Sequence, residues 1–267
     1  MELYEKRDKL EAYIKEKGKL AVAFSYGVDS TYLLKAAHDV LGDDVTAIIA
    51  RHAAFPETEY LGAKKFCEKE GIEAIIIEHD MLSIPEVLSN QPDRCYHCKT
   101  ALMSGFLEKA YERGIDTVAD GTNADDDFGD RPGMRALEEL GIVSPLREAG
   151  LTKADIRILS KELGLPTWDK PSMACLATRI PTGTELSAEI MKRIDAAEQY
   201  IRSFGFSQVR VRVKEETARI EIYPSEFSKM AQEDTAERVS SELQRLGFSH
   251  VTLDLKGYAD GSKQKRS

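Results

Sequence analysis

The sequence predicts an α/β fold, a doubly wound parallel sheet followed by a small α+β domain. In the first part of the chain, short apolar runs alternate with helical stretches, the rhythm of a parallel sheet covered by helices on both faces. After about residue 182 the order becomes helix, two alternating strands, helix and strand. The join reads at Ile180-Pro181-Thr182-Gly183-Thr184, giving domains at 1–182 and 183–267.

The elements follow in order. Residues 2–17 have the spacing of an amphipathic helix, and Leu20-Ala21-Val22-Ala23-Phe24 is a buried strand. A turn leads into a helix from about Asp29 to Leu41. Val45 to Ala50 is the next strand, Glu57 to Glu70 a helix, Ala74 to Ile77 a third strand and Thr117 to Ala119 a fourth. Thr152 with Asp155 has the form of a capping box opening a helix that stops at Gly164. In the second domain a helix over 188–204 ends at Gly205. Strands at 208–213 and 218–223, a helix near 225–246 and a strand at 251–255 complete the chain.

With 267 residues, 42% hydrophobic and 31% charged, the composition is that of a soluble globular protein able to bury a substantial core. No apolar run is long enough to span a membrane. The opening residues lack an apolar signal core, so a cytoplasmic location is expected. A net charge of −9 argues against a broad nucleic-acid surface, because polyanion binding rests on Lys and Arg at phosphates. The closing Lys263-Gln264-Lys265-Arg266 reads as a solvated tail.

The first stretch with chemical content runs from Ala21 to Ser30. A buried strand ends, a turn with glycine follows, and a helix begins at once. Unpaired N–H groups and the helix dipole favour an anion there. Ser25 and Ser30 add hydroxyl donors, Gly27 permits close approach, and Asp29 either holds a metal ion or caps the helix. Walker A is absent. The segment resembles the Ser-Gly-Gly-x-Asp-Ser pyrophosphate loop of the PP-loop ATP pyrophosphatases. That resemblance implies ATP contacts from Ser25, Gly27, Val28, Asp29 and Ser30. Tyr26 stands where that pattern has glycine, so its side chain either crowds the pyrophosphate or imposes a different backbone angle. The plain alternative is a capped helix after a strand.

Asp120-Gly121-Thr122-Asn123-Ala124-Asp125-Asp126-Asp127 follows the fourth strand, at the strand end where ligands of open α/β sheets gather. Clustered carboxylates suit Mg²⁺, which prefers oxygen ligands. The expected Mg²⁺ ligands are Asp29 and Asp125, with Gly121 beside ATP. A solvated Asp-rich loop is the alternative.

Of four cysteines, Cys67 lies in a helical pattern beside Phe66 and reads as a core residue. Cys95 and Cys98 form a Cys-x-x-Cys pair before a helix expected near Lys99, and Cys175 lies far downstream. Three thiolates suit a [4Fe–4S] cluster with one open iron. A Zn²⁺ site completed by His97, His52 or His79 is the other reading, and spacing alone leaves both open.

Further segments are more particular: Asp130-Arg131-Pro132-Gly133, Lys170 through Arg179 with Pro181 and Gly183-Thr184, Val209-Arg210-Val211-Arg212-Val213, and Ala218-Arg219-Ile220-Glu221. With the loop at Ser25–Ser30 they resemble the LarE family of PP-loop sulfur transferases over nearly the whole chain. The resemblance implies an ATP- and Mg²⁺-dependent enzyme that adenylylates a carboxylate of a pyridinium mononucleotide. Sulfide or a sulfur donor then gives a thiocarboxylate for nickel-pincer nucleotide synthesis. It implies catalytic roles for Asp29 and Cys175, substrate-phosphate contacts from Arg179, Arg210 and Arg212, and a homo-oligomer, trimer or hexamer. Aligning on Arg179-Ile180-Pro181 puts the family's sacrificial cysteine at Ala174, with Cys175 beside it. The set Cys95, Cys98 and Cys175 instead resembles the cluster-carrying form. A tRNA thiolase and a zinc-stabilised ATP-dependent ligase are the competing functions. Arg210 and Arg212 share one strand face, away from Val209, Val211 and Val213, and a basic edge paired with Glu221 is the structural alternative.

Overall fold

The structure, a computed structural model, describes residues 2–126 and 132–259. Asp127, the Asp130-Arg131 pair and the Lys263–Arg266 tail lie outside the described residues. By internal contacts the chain forms two compact units, Met1–Val87 with Gln91–Met173, and Leu88–Asn90 with the chain from Ala174 onward.

The first unit is built on four parallel strands, β1 (Leu20–Ala23), β2 (Val45–Arg51), β3 (Glu73–Glu78) and β4 (Val118–Ala119), in the order β3-β2-β1-β4. Val143 extends the sheet by an isolated parallel bridge to Ala119. Its helices are α1 (Leu3–Lys17), α2 (Val28–Leu41), α3 (Glu57–Glu70), α4 (Pro85–Leu88), α5 (Arg94–Tyr111), α6 (Pro132–Glu139), α7 (Pro145–Glu148) and α8 (Lys153–Glu162).

Alternation along the strands explains the double winding. Leu20, Val22, Val45, Ala47 and Ile49 enter a core with Leu10, Ile14, Leu33, Leu34, Phe66 and Ile156. Ala21, Ile48 and Val118 enter a second core with Met103, Phe106, Ala110, Met134 and Leu137. Successive side chains point to opposite faces, so the strands read as continuous apolar runs. The edge strand β3 is less covered, and its Ile76 is half-exposed. The Thr152/Asp155 capping box opens α8 as the sequence requires, with Thr152 Oγ1 accepting from the Asp155 N–H at 3.2 Å.

The second unit contains α9 (Ala188–Ser203), β5 (Val209–Lys214), β6 (Thr217–Ile222), α10 (Phe227–Met230), α11 (Glu233–Arg245) and β7 (His250–Leu253). β5 and β6 are antiparallel, and β6 and β7 are parallel. Two expectations differ in detail. The single helix over 225–246 is interrupted, with α10 ending at Met230 and α11 starting at Glu233. The division between units also falls after Met173, rather than within 180–184. Residues 174–187 group with the smaller unit because Leu176 and Ile180 are buried and Arg179 pairs with Glu198 of α9. Asn90 Nδ2 also donates to the carbonyls of Pro181 and Thr184, at 2.9 and 3.0 Å.

Candidate active site

The strand order reverses direction between β1 and β4, and ligands of open α/β sheets bind outside the carboxyl ends of strands at that point. A cavity of about 400 Å³ opens there. It is lined from β1 and its loop by Ser25 and Gly27, from α2 by Asp29 and Ser30, and beyond β4 by Asp120, Gly121, Thr122 and Asp126. His52, Phe55, Lys99 and Phe106 form further walls.

The loop closes on itself through its two serines. Ser25 and Ser30 hydroxyls lie 3.1 Å apart, and the Ser25 N–H donates to Ser30 Oγ at 3.3 Å. Gly27 is the N-cap of α2, and the first helical bond runs from the Thr31 N–H to its carbonyl. The N–H groups of Val28, Asp29 and Ser30 therefore have no acceptor within the helix, and a phosphate fits that need. The Val28 side chain packs in the core, so only its backbone can serve an anion. Gly121 is required by packing: a Cβ there would stand 2.9 Å from the Ser30 nitrogen.

Tyr26 takes φ +56°, the left-handed conformation that glycine adopts without strain. Its ring turns onto the aromatic rings of Phe24 and Phe66, and it does not line the cavity. The ring thus leaves the cavity clear, while the backbone holds an angle that glycine adopts readily.

Asp29 is held by a residue that no local pattern reveals. Lys153 Nζ forms an ion pair with Asp29 Oδ2. Burial pushes the Asp29 pKa up, and the Lys153 charge and hydrogen bond oppose that rise. Asp29 Oδ1 is buried without a hydrogen-bond partner, an orphaned oxygen of the kind a hard cation satisfies. Asp125 is differently employed, its Oδ2 accepting from the Lys153 backbone N–H at 2.7 Å at the start of α8. Asp126 shares the cavity with Asp29, as does Asp120, whose carboxylate accepts from the hydroxyls of Thr122 and Ser144. Among the described residues no group of three or more His, Cys, Asp and Glu side chains is arranged to hold a metal ion.

His52, weighed above as a zinc ligand, stacks on Phe55 in the cavity wall and accepts from the Ala54 N–H at 3.3 Å. Burial and neighbouring His79 lower its pKa to about 4, so it is neutral near pH 7.

Cys95 and Cys98 lie within the first turn of α5, which begins at Arg94 and not near Lys99. Three residues apart on a helix, they share a face. Neither is in a disulfide, and Cys95 is exposed and Cys98 half-buried. His97 Nε2 is 3.2 Å from Asp93. In the second unit Cys175 is outside any disulfide and exposed, directly before the turn Leu176–Arg179. Cys67 is buried, and burial pushes its thiol up to about 12, as a core cysteine requires.

The three arginines expected at a substrate phosphate all lie in the second unit. Arg179 is 1% exposed. It donates to Glu198 through Nε and Nη2, and through Nη1 to the carbonyls of Ala174 and Cys175. It is an internal brace for the Cys175 turn. Arg210 is buried, and desolvation followed by the nearby Arg179 charge lowers its pKa to about 10. Arg212 pairs with Glu221 at 2.6 Å and donates to the Thr178 carbonyl at 2.9 Å. It lines a second cavity with Thr178, Lys214, Arg219 and Thr252. The Glu221 pairing anticipated for a basic edge is thus present, although Arg210 is buried rather than exposed.

No helix among the described residues is long and apolar enough to cross a membrane. No protein-family model matches the chain. It is 38% identical over 257 residues to the pyridinium-3,5-bisthiocarboxylic acid mononucleotide synthase of Lactiplantibacillus plantarum, covering 96% of this chain and 92% of that protein. An uncharacterized protein of Synechocystis is 37% identical over 259 residues, 97% of each chain. A glutamine-hydrolyzing GMP synthase of Mesorhizobium japonicum is 30% identical over 209 residues, 67% of this chain and 39% of that one. A phosphate-ready loop at the switch point of a parallel sheet and likeness along nearly the full chain agree: this protein belongs to the LarE family of PP-loop, ATP-using sulfur transferases.

Proposed function

We propose that the protein adenylylates a carboxylate of a pyridinium mononucleotide and converts it to a thiocarboxylate for nickel-pincer nucleotide synthesis. The observation that carries this reading is the Asp29–Lys153 pair beside the open amino end of α2, in a chain 38% identical to a synthase of that product class.

A carboxylate oxygen is a poor leaving group and AMP a good one, so activation must precede sulfur transfer. The substrate carboxylate attacks the α-phosphorus of ATP, a P–O bond forms, and pyrophosphate leaves. The free N–H groups of α2, the hydroxyls of Ser25 and Ser30 and the Lys153 ammonium neutralise the leaving pyrophosphate. Transfer of this type depends on positioning and charge neutralisation. Asp29, with its orphaned oxygen, and Asp126 would hold Mg²⁺, while Asp125 fixes the backbone at Lys153. A sulfur nucleophile then attacks the acyl carbon, forming C–S and releasing AMP. Arg212 and Arg210 supply positive charge for the substrate's own phosphate, and Arg suits bidentate contact with it.

Cys95, Cys98 and Cys175 are outside any disulfide and, unlike Cys67, are not buried, and thiolates are the ligands of a [4Fe–4S] cluster. Those three residues would hold it, and when bound it would supply a renewable source of sulfide. Anaerobic purification followed by iron, acid-labile sulfide and zinc analysis tests this part. About four iron and four sulfide per chain are expected. Zinc alone would favour a zinc-stabilised ligase instead, and sulfur transfer that persists without Cys95 would contradict the cluster.

A further inference from the structure

We propose that Lys170 is a positioning residue for the phosphate loop, holding the Tyr26 carbonyl so that a non-glycine residue keeps the left-handed turn from which α2 begins. The inference rests on the reading of that loop as an ATP site.

Position 26 has φ +56°, a region that side-chain-bearing residues seldom occupy. Lys170 meets it twice. Its Nζ donates to the Tyr26 carbonyl at 2.8 Å and stands 4.0 Å from the centre of the Tyr26 ring. Lys170 is itself fixed, for Nζ lies 2.6 Å from Oε2 of buried Glu59 on α3. Arg157 of α8 donates to the Lys170 carbonyl at 2.8 Å. The Tyr26 ring has room only because α3 carries glycine at 62, where a methyl group would overlap it.

The consequence for a ligand follows from peptide geometry. No described peptide bond is cis. In a trans peptide the carbonyl and the next N–H point in opposite directions. With the Tyr26 carbonyl drawn to Lys170, the Gly27 N–H is turned away from it. Gly27 lines the cavity, whereas Tyr26 and Lys170 do not. Glu59, Lys170 and Gly62 thus act on the phosphate loop without touching a phosphate. Without them Tyr26 relaxes toward an ordinary backbone angle and reorients the peptide beside the cavity.

The test uses the full chain and calorimetric ATP binding, with melting temperature alongside. Lys170→Met is combined with Glu59→Leu, so that no buried carboxylate loses its partner. The double variant is expected to bind ATP roughly tenfold more weakly, the scale of one strained backbone residue. Adding Tyr26→Gly should restore affinity, because glycine takes this angle unaided. Gly62→Ala is the second route, pushing the ring away at a position where alanine favours the helix. It should weaken ATP similarly and be rescued by the same Tyr26→Gly change. A lower melting temperature with unchanged ATP affinity in either background would make these residues merely structural and overturn the proposal. So would weakened affinity that Tyr26→Gly fails to restore. A wild-type chain that binds no ATP would instead sink the functional reading.

Discussion

The ammonium group of Lys153 and the half-buried carboxylate of Asp29, 124 residues apart in sequence, form an ion pair at the open end of α2. The lysine offsets part of the cost of holding the carboxylate charge in a half-buried place. ATP changes that balance by offering phosphate to the lysine and a metal ion to the carboxylate.

Changing Lys153 to Met should therefore move the pH dependence of ATP cleavage as well as its rate. Burial already raises the Asp29 pKa, and Lys153 counteracts it. Removing the cation raises that pKa further, so ionised Asp29 is reached only at higher pH. Initial rates of AMP formation across pH should show the acid limb shifted upward. An unmoved limb would mean that Asp29 is not the group titrating.

Gly121→Ala tests the fit between the loop after β4 and α2. The added Cβ meets backbone at Ser30, which cannot swing aside as a flexible side chain can. A stability loss of ~1–3 kcal/mol is expected from such overpacking, with a rise in KM for ATP. Denaturant titration and steady-state kinetics would measure the two effects.

In the second unit, Glu198→Gln should remove an acid-sensitive contribution to stability. Burial alone would raise the Glu198 pKa, but the Arg179 hydrogen bond and the charges of Arg179, Arg202 and Arg210 bring it below its usual value. The native state therefore favours the carboxylate. Its contribution is present above the unfolded-state pKa and lost as pH falls through the lower native value. Wild-type stability should decline below about pH 4.5, and the variant's decline there should be shallower. At neutral pH the variant loses about 3–5 kcal/mol, since Arg179 is left buried without its anion.

Serine at Cys95, Cys98 or Cys175 should stop thiocarboxylate formation yet leave pyrophosphate release in place, because adenylylation belongs to the α2 cavity. Cys67→Ser should do the reverse, lowering stability through a buried hydroxyl while sulfur transfer continues. Product analysis by mass spectrometry distinguishes the two patterns.

How much of this was readable beforehand depends on distance along the chain. The phosphate loop is local: a strand end, two serines, a glycine and a helix start lie within ten residues, and local chemistry determines their arrangement. The capping box at Thr152 was legible for the same reason. Lys153 and Lys170 were not, since their partners Asp29, Glu59 and Tyr26 lie more than a hundred residues away and no periodic pattern links them. Arg179 shows the opposite limit. Its sequence context resembles a phosphate-binding segment, but Glu198, the residue that occupies its guanidinium, becomes its neighbour only through the packing of α9. The helix at the cysteine pair starts at Arg94, five residues before Lys99, and Asp93 occupies its N-cap position without a side-chain capping hydrogen bond.

The central claim is adenylylation at the amino end of α2. Its most direct measurement is the nucleotide product formed from α-labelled ATP with a pyridinium dicarboxylate mononucleotide and Mg²⁺. AMP and pyrophosphate are expected, dependent on the pyridinium compound and lost in Asp29→Asn. ADP and orthophosphate, or AMP formation indifferent to that compound, would contradict it.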